Sequence, residues 1–430
     1  MNKSILPAGL AVLVTGILAF TFSASADWPN YRGPTYDGRS KETVATWVSS
    51  GPKTLWKVPM NAGFSSMSVA KNRAFTLVKR DFEGASKETC LALDADTGKE
   101  LWATPLGVAK YDGGGDSGEN TNNGGDGPRS TPTVDGGFVY ALDNRLNLIC
   151  LDAKTGSIQW AKDLVKEYGG QTIYWQNAAS PVIDGNLIFV CAGGADQSLL
   201  ALNKKDGTLV WKTESDKPTH ASPTPATIHG VRQIIFYTQP GLVSADVKTG
   251  KILWRYPYKY STSSAASPIV GGDIVYCSAG YGVGAGAAKI AKTGDIWTAS
   301  EMWRSTGNSL ANHWSTPVLK DGHLYGMFQF KEYGSGAMKC VELSTGKVVW
   351  SQPNFGPGNV TLAGDKIIAL SDRGEVVLVS ATTEGYKEMA RTQAISGKCW
   401  STPSLSLGRL YVRSTKEGAC LDISGKLSSR

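Results

Sequence analysis

A phrase of the form Leu-Asp-x-x-Thr-Gly-x-x-x-Trp recurs down this chain roughly every fifty residues. The copies are Leu93-Asp94…Thr97-Gly98…Trp102, Leu151-Asp152…Thr155-Gly156…Trp160 and Leu202-Asn203…Asp206-Gly207…Trp211. Two more are Ala245-Asp246…Thr249-Gly250…Trp254 and Leu343-Ser344-Thr345-Gly346…Trp350. A fixed period of this length means one supersecondary unit stacked many times, each unit covering the next. The conspicuous glycines and tryptophans are therefore expected to be structural.

A second phrase opens each unit: Ser/Thr-x-Pro or a close variant, then a Gly turn, then β-branched and aromatic residues. Ser130-Thr131-Pro132 leads to Asp135-Gly136-Gly137 and Phe138-Val139-Tyr140. Ser267-Pro268 leads to Gly271-Gly272 and Ile274-Val275-Tyr276, and Thr402-Pro403 to Gly408 and Leu410-Tyr411-Val412. Each unit thus carries two strands about a Gly turn, a third strand, a Thr-Gly hairpin and a fourth strand ending in Trp. Gly supplies the positive φ that tight connections need. Four short antiparallel strands cannot bury both faces alone, so neighbours must cover each other radially. That arrangement is a β-propeller.

First strands begin near residues 66, 130, 180, 222, 267, 316, 360 and 402, which makes eight. The large fourth-strand residues are Trp102, Trp160, Trp211, Trp254, Trp303, Trp350 and Met389, which makes seven. Met389 follows Gly385 at the offset of the tryptophans, so it is placed in the same slot. The eighth unit ends near Ile423 without its fourth strand. Thr54-Leu55-Trp56-Lys57-Val58 is a fourth strand with no unit before it. The fold class predicted is all-β: an eight-bladed β-propeller of four-stranded antiparallel blades. Its ring is closed by the N-terminal strand around Trp56 in the last blade.

Residues 1–26 read as a secretory signal peptide: Lys3, a largely apolar run from Ile5 to Phe22, and Ala24-Ser25-Ala26 as the cleavage site. The alternative is a membrane anchor. No Cys follows the cleavage site, so no lipid anchor is expected. The remainder divides into an N-terminal segment, 27–53, and one propeller domain, 54–430. No later segment is apolar over the ~18 residues a spanning helix needs. The mature chain is thus expected to be periplasmic or secreted, without a transmembrane segment, and to act as a monomer. The net charge of +7 is spread without a Lys/Arg block, which argues against nucleic acid. Seven cysteines is an odd number for a disulfide framework. Their repeated strand positions predict small buried hydrophobes, and no Cys-x-x-Cys is present to bind zinc.

Together, the Ser-x-Pro phrase, the Thr-Gly-x-x-x-Trp phrase and eight units resemble the pyrroloquinoline-quinone-type (PQQ-like) propeller superfamily. It contains the PQQ-dependent alcohol dehydrogenases and the outer-membrane assembly factor BamB. The resemblance covers about residues 54–425. Asp27-Trp28-Pro29-Asn30-Tyr31-Arg32-Gly33-Pro34 is similar to the opening of a group of exported PQQ-like repeat proteins. The resemblance implies one of two functions. The first is an exported, non-catalytic binding or scaffold protein of the cell envelope, BamB-like, whose partner is an envelope protein or small ligand and which needs no cofactor. The second is a PQQ- and calcium-dependent dehydrogenase. In that family's dehydrogenases the cofactor lies on the propeller axis under a ring of two adjacent cysteines. A calcium ion held by Glu, Asn and Asp polarises it, and an Asp is the base. This chain has no adjacent cysteines and no match for the metal-ligand motif.

The loops before the first strands are expected to cluster at one mouth of the central channel. They hold Arg129, Asn177, His220, His313, Trp314 and Trp400, which suit an anion or a planar ligand; alternatively they fill the channel or cap blades. No catalytic residue is assigned. The longest insertion, 112–127, offers Asp112, Asp116 and Asp126 as oxygen ligands for calcium, or is a plain surface loop. Gly280-Tyr281-Gly282-Val283-Gly284 sits between two strands and precedes no helix, so it reads as a hairpin rather than a phosphate loop.

Overall fold

The computed structural model describes residue 1 and residues 27–47, 51–111, 127–328 and 336–425. The signal-peptide segment and the acidic insertion with Asp112, Asp116 and Asp126 lie outside the described residues. Eight sheets of antiparallel strands follow one another in chain order. Blade 1 comprises Ser68–Ala70, Arg73–Phe82, Ala85–Asp94 and Glu100–Val108. Blades 2 to 7 repeat the plan from inner strands at Thr133–Asp135, Val182–Asp184, Thr224–Ile228, Ile269–Gly271, Val318–Lys320 and Gly358–Ala363. Blade 8 has Ser404–Ser406, Arg409–Arg413 and Glu417–Asp422, and takes its outer strand, Lys53–Pro59, from the other end of the chain. Trp56 pairs with Cys420 and Pro59 with Glu417 in that closure.

The two recurring phrases are fasteners between blades. In the hairpin, Asp94 Oδ1 accepts the N–H groups of Asp96 and Thr97 and the Thr97 hydroxyl, which fixes the turn. Asp152 and Asp246 repeat the arrangement. The following glycine lies against the indole of the preceding blade's tryptophan. A Cβ on Gly98, Gly156, Gly250 or Gly346 would stand 2.6–2.7 Å from Trp56, Trp102, Trp211 or Trp303. Each of those indoles donates Nε1–H across the seam, to the carbonyls of Ala95, Ala153, Val247 and Leu343. A one-residue bulge precedes each tryptophan and turns it toward the next blade. The residue opposite the tryptophan is small: Ala92, Cys150, Ala201, Ser244, Ala287, Cys340 or Cys420. That slot explains three of the cysteines, and all seven are buried free thiols.

Two details differ from the sequence reading. In blade 6, Val341-Glu342 take the Leu-Asp positions, since Thr345 bonds Glu342 and Gly346 N–H bonds the Glu342 carbonyl. In blade 7, Met389 is the bulge residue, and Ala390 stands opposite Leu378 where other blades place Trp. The hairpin there is two residues longer, one of them after the glycine, so an equal offset from Gly385 falls one position short.

The Ser-x-Pro phrase builds two sets of inter-blade hydrogen bonds about the axis, each crossing at least five of the eight seams. In the first, a hydroxyl of one blade accepts a neighbour's backbone N–H: Thr131 from Ser66, Ser180 from Thr131, Ser222 from Ser180, Thr316 from Ser267, and Ser66 from Thr402. In the second, inner-strand hydroxyls donate to the next blade's carbonyl before the strand. Ser68, Thr133, Thr224 and Thr361 reach Pro132, Pro181, Pro268 and Pro403, and Ser404 reaches Met67.

The N-terminal segment, 27–47, runs across the channel as a strap. Trp28 forms an isolated bridge with Val69 in blade 1, and Val134 N–H of blade 2 bonds the Pro29 carbonyl. Tyr36 hydroxyl bonds both backbone groups of Ile183 in blade 3. Buried Arg32 donates to the Thr316 and Pro317 carbonyls at blade 6 (2.8 Å each). Arg39–Ser40 adds a parallel strand to blade 7, and Glu42 accepts from Leu407 and Gly408 N–H in blade 8. One strap thus bonds six blades and closes one end of the axis.

Candidate functional site

The other end of the axis is a cup. Two adjoining lobes of about 70 and 60 Å³ share Arg129, Ala178, His220, Ala265, Trp314 and Trp400 as lining. Tyr31 of the strap, Phe64 and three serines complete the first lobe; Trp175, Ser263, Tyr281 and His313 complete the second. Five of the six residues expected at the channel mouth therefore meet around one space. Asn177 does not join them: it donates to the Asp143 and Ala179 carbonyls and accepts from Ala179 N–H, so it shapes the loop.

An aromatic stack dominates the cup. Phe64 stacks on Trp400 at 4.7 Å and Trp400 on Trp314 at 4.9 Å, with interplanar angles near 20°. Two cations flank it. Lys398 Nζ lies 5.4 Å from the Trp400 ring, and the Arg129 guanidinium lies 6.0 Å from Phe64 and 5.3 Å from Tyr111. Arg129 Nη1 also donates to the Trp175 carbonyl. Trp175, Gln176 and Tyr281 hold positive φ (71°, 59° and 56°), a costly conformation for such side chains that clusters at ligand sites. Trp175 stacks on Tyr281, whose ring meets His313 edge-on at 5.0 Å.

His220 Nδ1 lies 3.2 Å from Ser263 Oγ, which lies 3.5 Å from His313 Nε2. Burial pushes both imidazoles down, to about 3 for His220 and about 4 for His313, and the Arg129 charge adds to the effect on His220. Both are neutral at pH 7. Behind Tyr111 lies Glu88, which accepts from the Tyr111 hydroxyl and Asn144 N–H. Burial and the neighbouring Asp143 push it up to about 8.

These residues do not fit a PQQ-type quinone. Each lobe holds about two waters' worth of space. The stack already fills the axis with this chain's own rings. Among the described residues no group of three His, Cys, Asp or Glu side chains is placed to hold a metal ion.

Sequence reasoning missed Tyr31, Phe64, Trp175 and Tyr281. Tyr31 stands in the quoted N-terminal phrase, but nothing in that phrase says the segment crosses the axis. Tyr281 sits in the glycine-rich hairpin, whose turn does join two strands of blade 5. Gly280 there lets His313 approach: an added Cβ would stand 3.0 Å from the histidine's own Cβ.

Comparison with known proteins places this architecture. The family model described as outer membrane protein assembly factor BamB matches residues 86–352, more than half of the chain. The BamB of Shewanella oneidensis is 24% identical over 264 residues, covering 58% of this chain and 63% of that protein. The chain spans only about 60% of the length of the curated relatives it matches. Among solved structures, BamB from Moraxella catarrhalis superposes with a TM-score of 0.61 at 14% identity, covering 88% of this chain and 99% of that one. Quinohemoprotein alcohol dehydrogenase from Comamonas testosteroni gives 0.61 at 13% identity, covering 94% and 82%. At such identities the likeness is one of fold.

Proposed function

We propose that this chain, which belongs to the family described as outer membrane protein assembly factor BamB, is an exported, non-catalytic propeller that docks another protein of the cell envelope. The observation that carries this reading is the axis itself. A quinoprotein of this fold needs room there for a cofactor, and here Phe64, Trp400 and Trp314 stack in that place above Tyr31.

The rim supports docking. The outer strand of each blade is a sheet edge with unpaired backbone groups. Exposed apolar side chains recur on those strands: Leu101, Ile158, Val210, Ile296 and Val348. Among the described residues no helix is long and apolar enough to cross a membrane. A photo-crosslinker at Val210 in the full chain, expressed with its export segment, tests the reading. The expected product is a crosslink to a component of outer-membrane protein assembly. The same yield from a probe inside the cup, at Trp314, or no envelope product from any rim position, would contradict it.

A further inference from the structure

The axial cup presents donors and almost no acceptors. Ser66, Ser180 and Ser222 line the first lobe, and each accepts one backbone N–H from a neighbouring blade at 2.8–2.9 Å. A hydroxyl has one proton to give. Among the described residues no protein acceptor takes these three protons. Trp400 Nε1–H, buried beside them, has no partner either. Arg129 lines both lobes with a five-donor guanidinium. Among the described residues no aspartate or glutamate lines either lobe. Donors converging on a small buried space beside a fixed cation are the chemistry of an anion site.

We infer that the cup binds a small oxyanion or short carboxylate, held by Arg129, the three serine hydroxyls and Trp400 Nε1–H. The 60–70 Å³ lobes limit the ligand to a group the size of sulfate, phosphate or acetate. Trp314, Trp400 and Tyr281 are only partly buried, so the space opens to solvent between their rings. The inference does not depend on the docking role, since no rim residue takes part.

The electrostatics support the same sign. Arg129, His220 and His313 line the cup and Lys398 lies over the Trp400 ring; among the described residues Glu88, behind Tyr111 and within reach of the Arg129 charge, is pushed up to about 8 and is mostly protonated at pH 7. The histidines are neutral at pH 7 because burial, and for His220 the Arg129 charge, oppose their protonation. As pH falls through about 8, Glu88 takes up its proton and the negative charge behind Tyr111 is removed, so anion affinity rises as pH falls.

Tryptophan fluorescence of the full chain tests this, since Trp175, Trp314 and Trp400 all line the cup. Sulfate, phosphate and acetate are titrated separately against chloride at matched ionic strength. The expected result is saturable quenching by at least one oxyanion and none by chloride. Arg129→Gln weakens binding about 10-fold or more, the value of a charge-assisted hydrogen bond. Trp400→Phe, which keeps the stack and removes one donor, weakens it about 3-fold or more and serves if Arg129→Gln does not fold. Sulfate, which does not itself titrate between pH 8 and 5.5, binds more tightly at the lower pH. Chloride quenching equal to the oxyanions', or unchanged affinity in both variants, overturns the inference. A normal rim crosslink in Arg129→Gln shows that the two roles are separate.

Discussion

The glycine of the Thr-Gly turn and the preceding blade's tryptophan form one contact repeated around the molecule. Gly98 has φ 71° and lies against Trp56, whereas Gly136 has φ 60° and open space around its Cα. Alanine at Gly136 carries only the left-handed backbone cost of about 1–2 kcal/mol. At Gly98 it adds overpacking against the indole, a further ~1–3 kcal/mol. Urea denaturation of the two variants is expected to show Gly98→Ala as the less stable; equal losses would mean the indole contact contributes nothing. The buried titratable groups set a pH window. His220 and His313 have folded values below 6.5, so their contribution is complete above about 6.5 and is lost as pH falls toward 4 and 3. Glu88 has a folded value raised to about 8, so its contribution is complete below about 4.5 and is lost as pH rises through 8. The melting temperature is therefore expected to peak near pH 6.5. Glu88→Gln flattens the alkaline limb and His220→Gln the acid limb, both read by calorimetry across pH 4–9; limbs unchanged in the variants would contradict these assignments.

Among elements, the seam between blades 8 and 1 joins the two ends of the chain. Lys53–Pro59 completes blade 8, and Trp56 carries the indole contact into blade 1. Fully buried Arg413 of blade 8 crosses the same seam to the carbonyls of Asn61, Gly63 and Leu77. Deleting residues 53–59 exposes the edge Glu417–Asp422 and removes a buried tryptophan, a loss of at least about 3–5 kcal/mol. The thermal midpoint is expected to fall sharply, and an unchanged melting curve would exclude closure by this strand. Much of this was legible in the sequence. Trp56 stood out as a fourth strand without a unit, and the Ser-x-Pro starts fixed the blade number. The strap was not legible, because its grip is made of backbone groups and three side chains, Arg32, Tyr36 and Glu42, that follow no repeat. The slot of Met389 was misplaced because an extra residue after the hairpin glycine is invisible to a fixed offset.

For the whole molecule, repetition and its exception divide the work. The fasteners between blades recur and are readable as motifs. The cup is where the repeat varies: three residues before the proline of the Ser-x-Pro phrase, blades 2, 4, 6 and 8 place Arg129, His220, Trp314 and Trp400, and His313 stands one position earlier, so all five were visible as loop residues. Phe64, Tyr281 and Tyr31 gained meaning only when the ring closed and the strap crossed it. The strap shuts one end of the axis and the aromatic stack fills the other, which leaves a small donor-lined cup and an exposed rim of blade edges. With Phe64, Trp400 and Trp314 stacked there and lobes of only about 60–70 Å³, this axis is expected not to take a quinone cofactor. Titrating the full chain with PQQ and Ca²⁺, followed by absorbance and dye-linked alcohol oxidation, tests it most directly. No bound chromophore and no turnover are expected; one equivalent of bound quinone with alcohol-dependent dye reduction would contradict this reading of the axis.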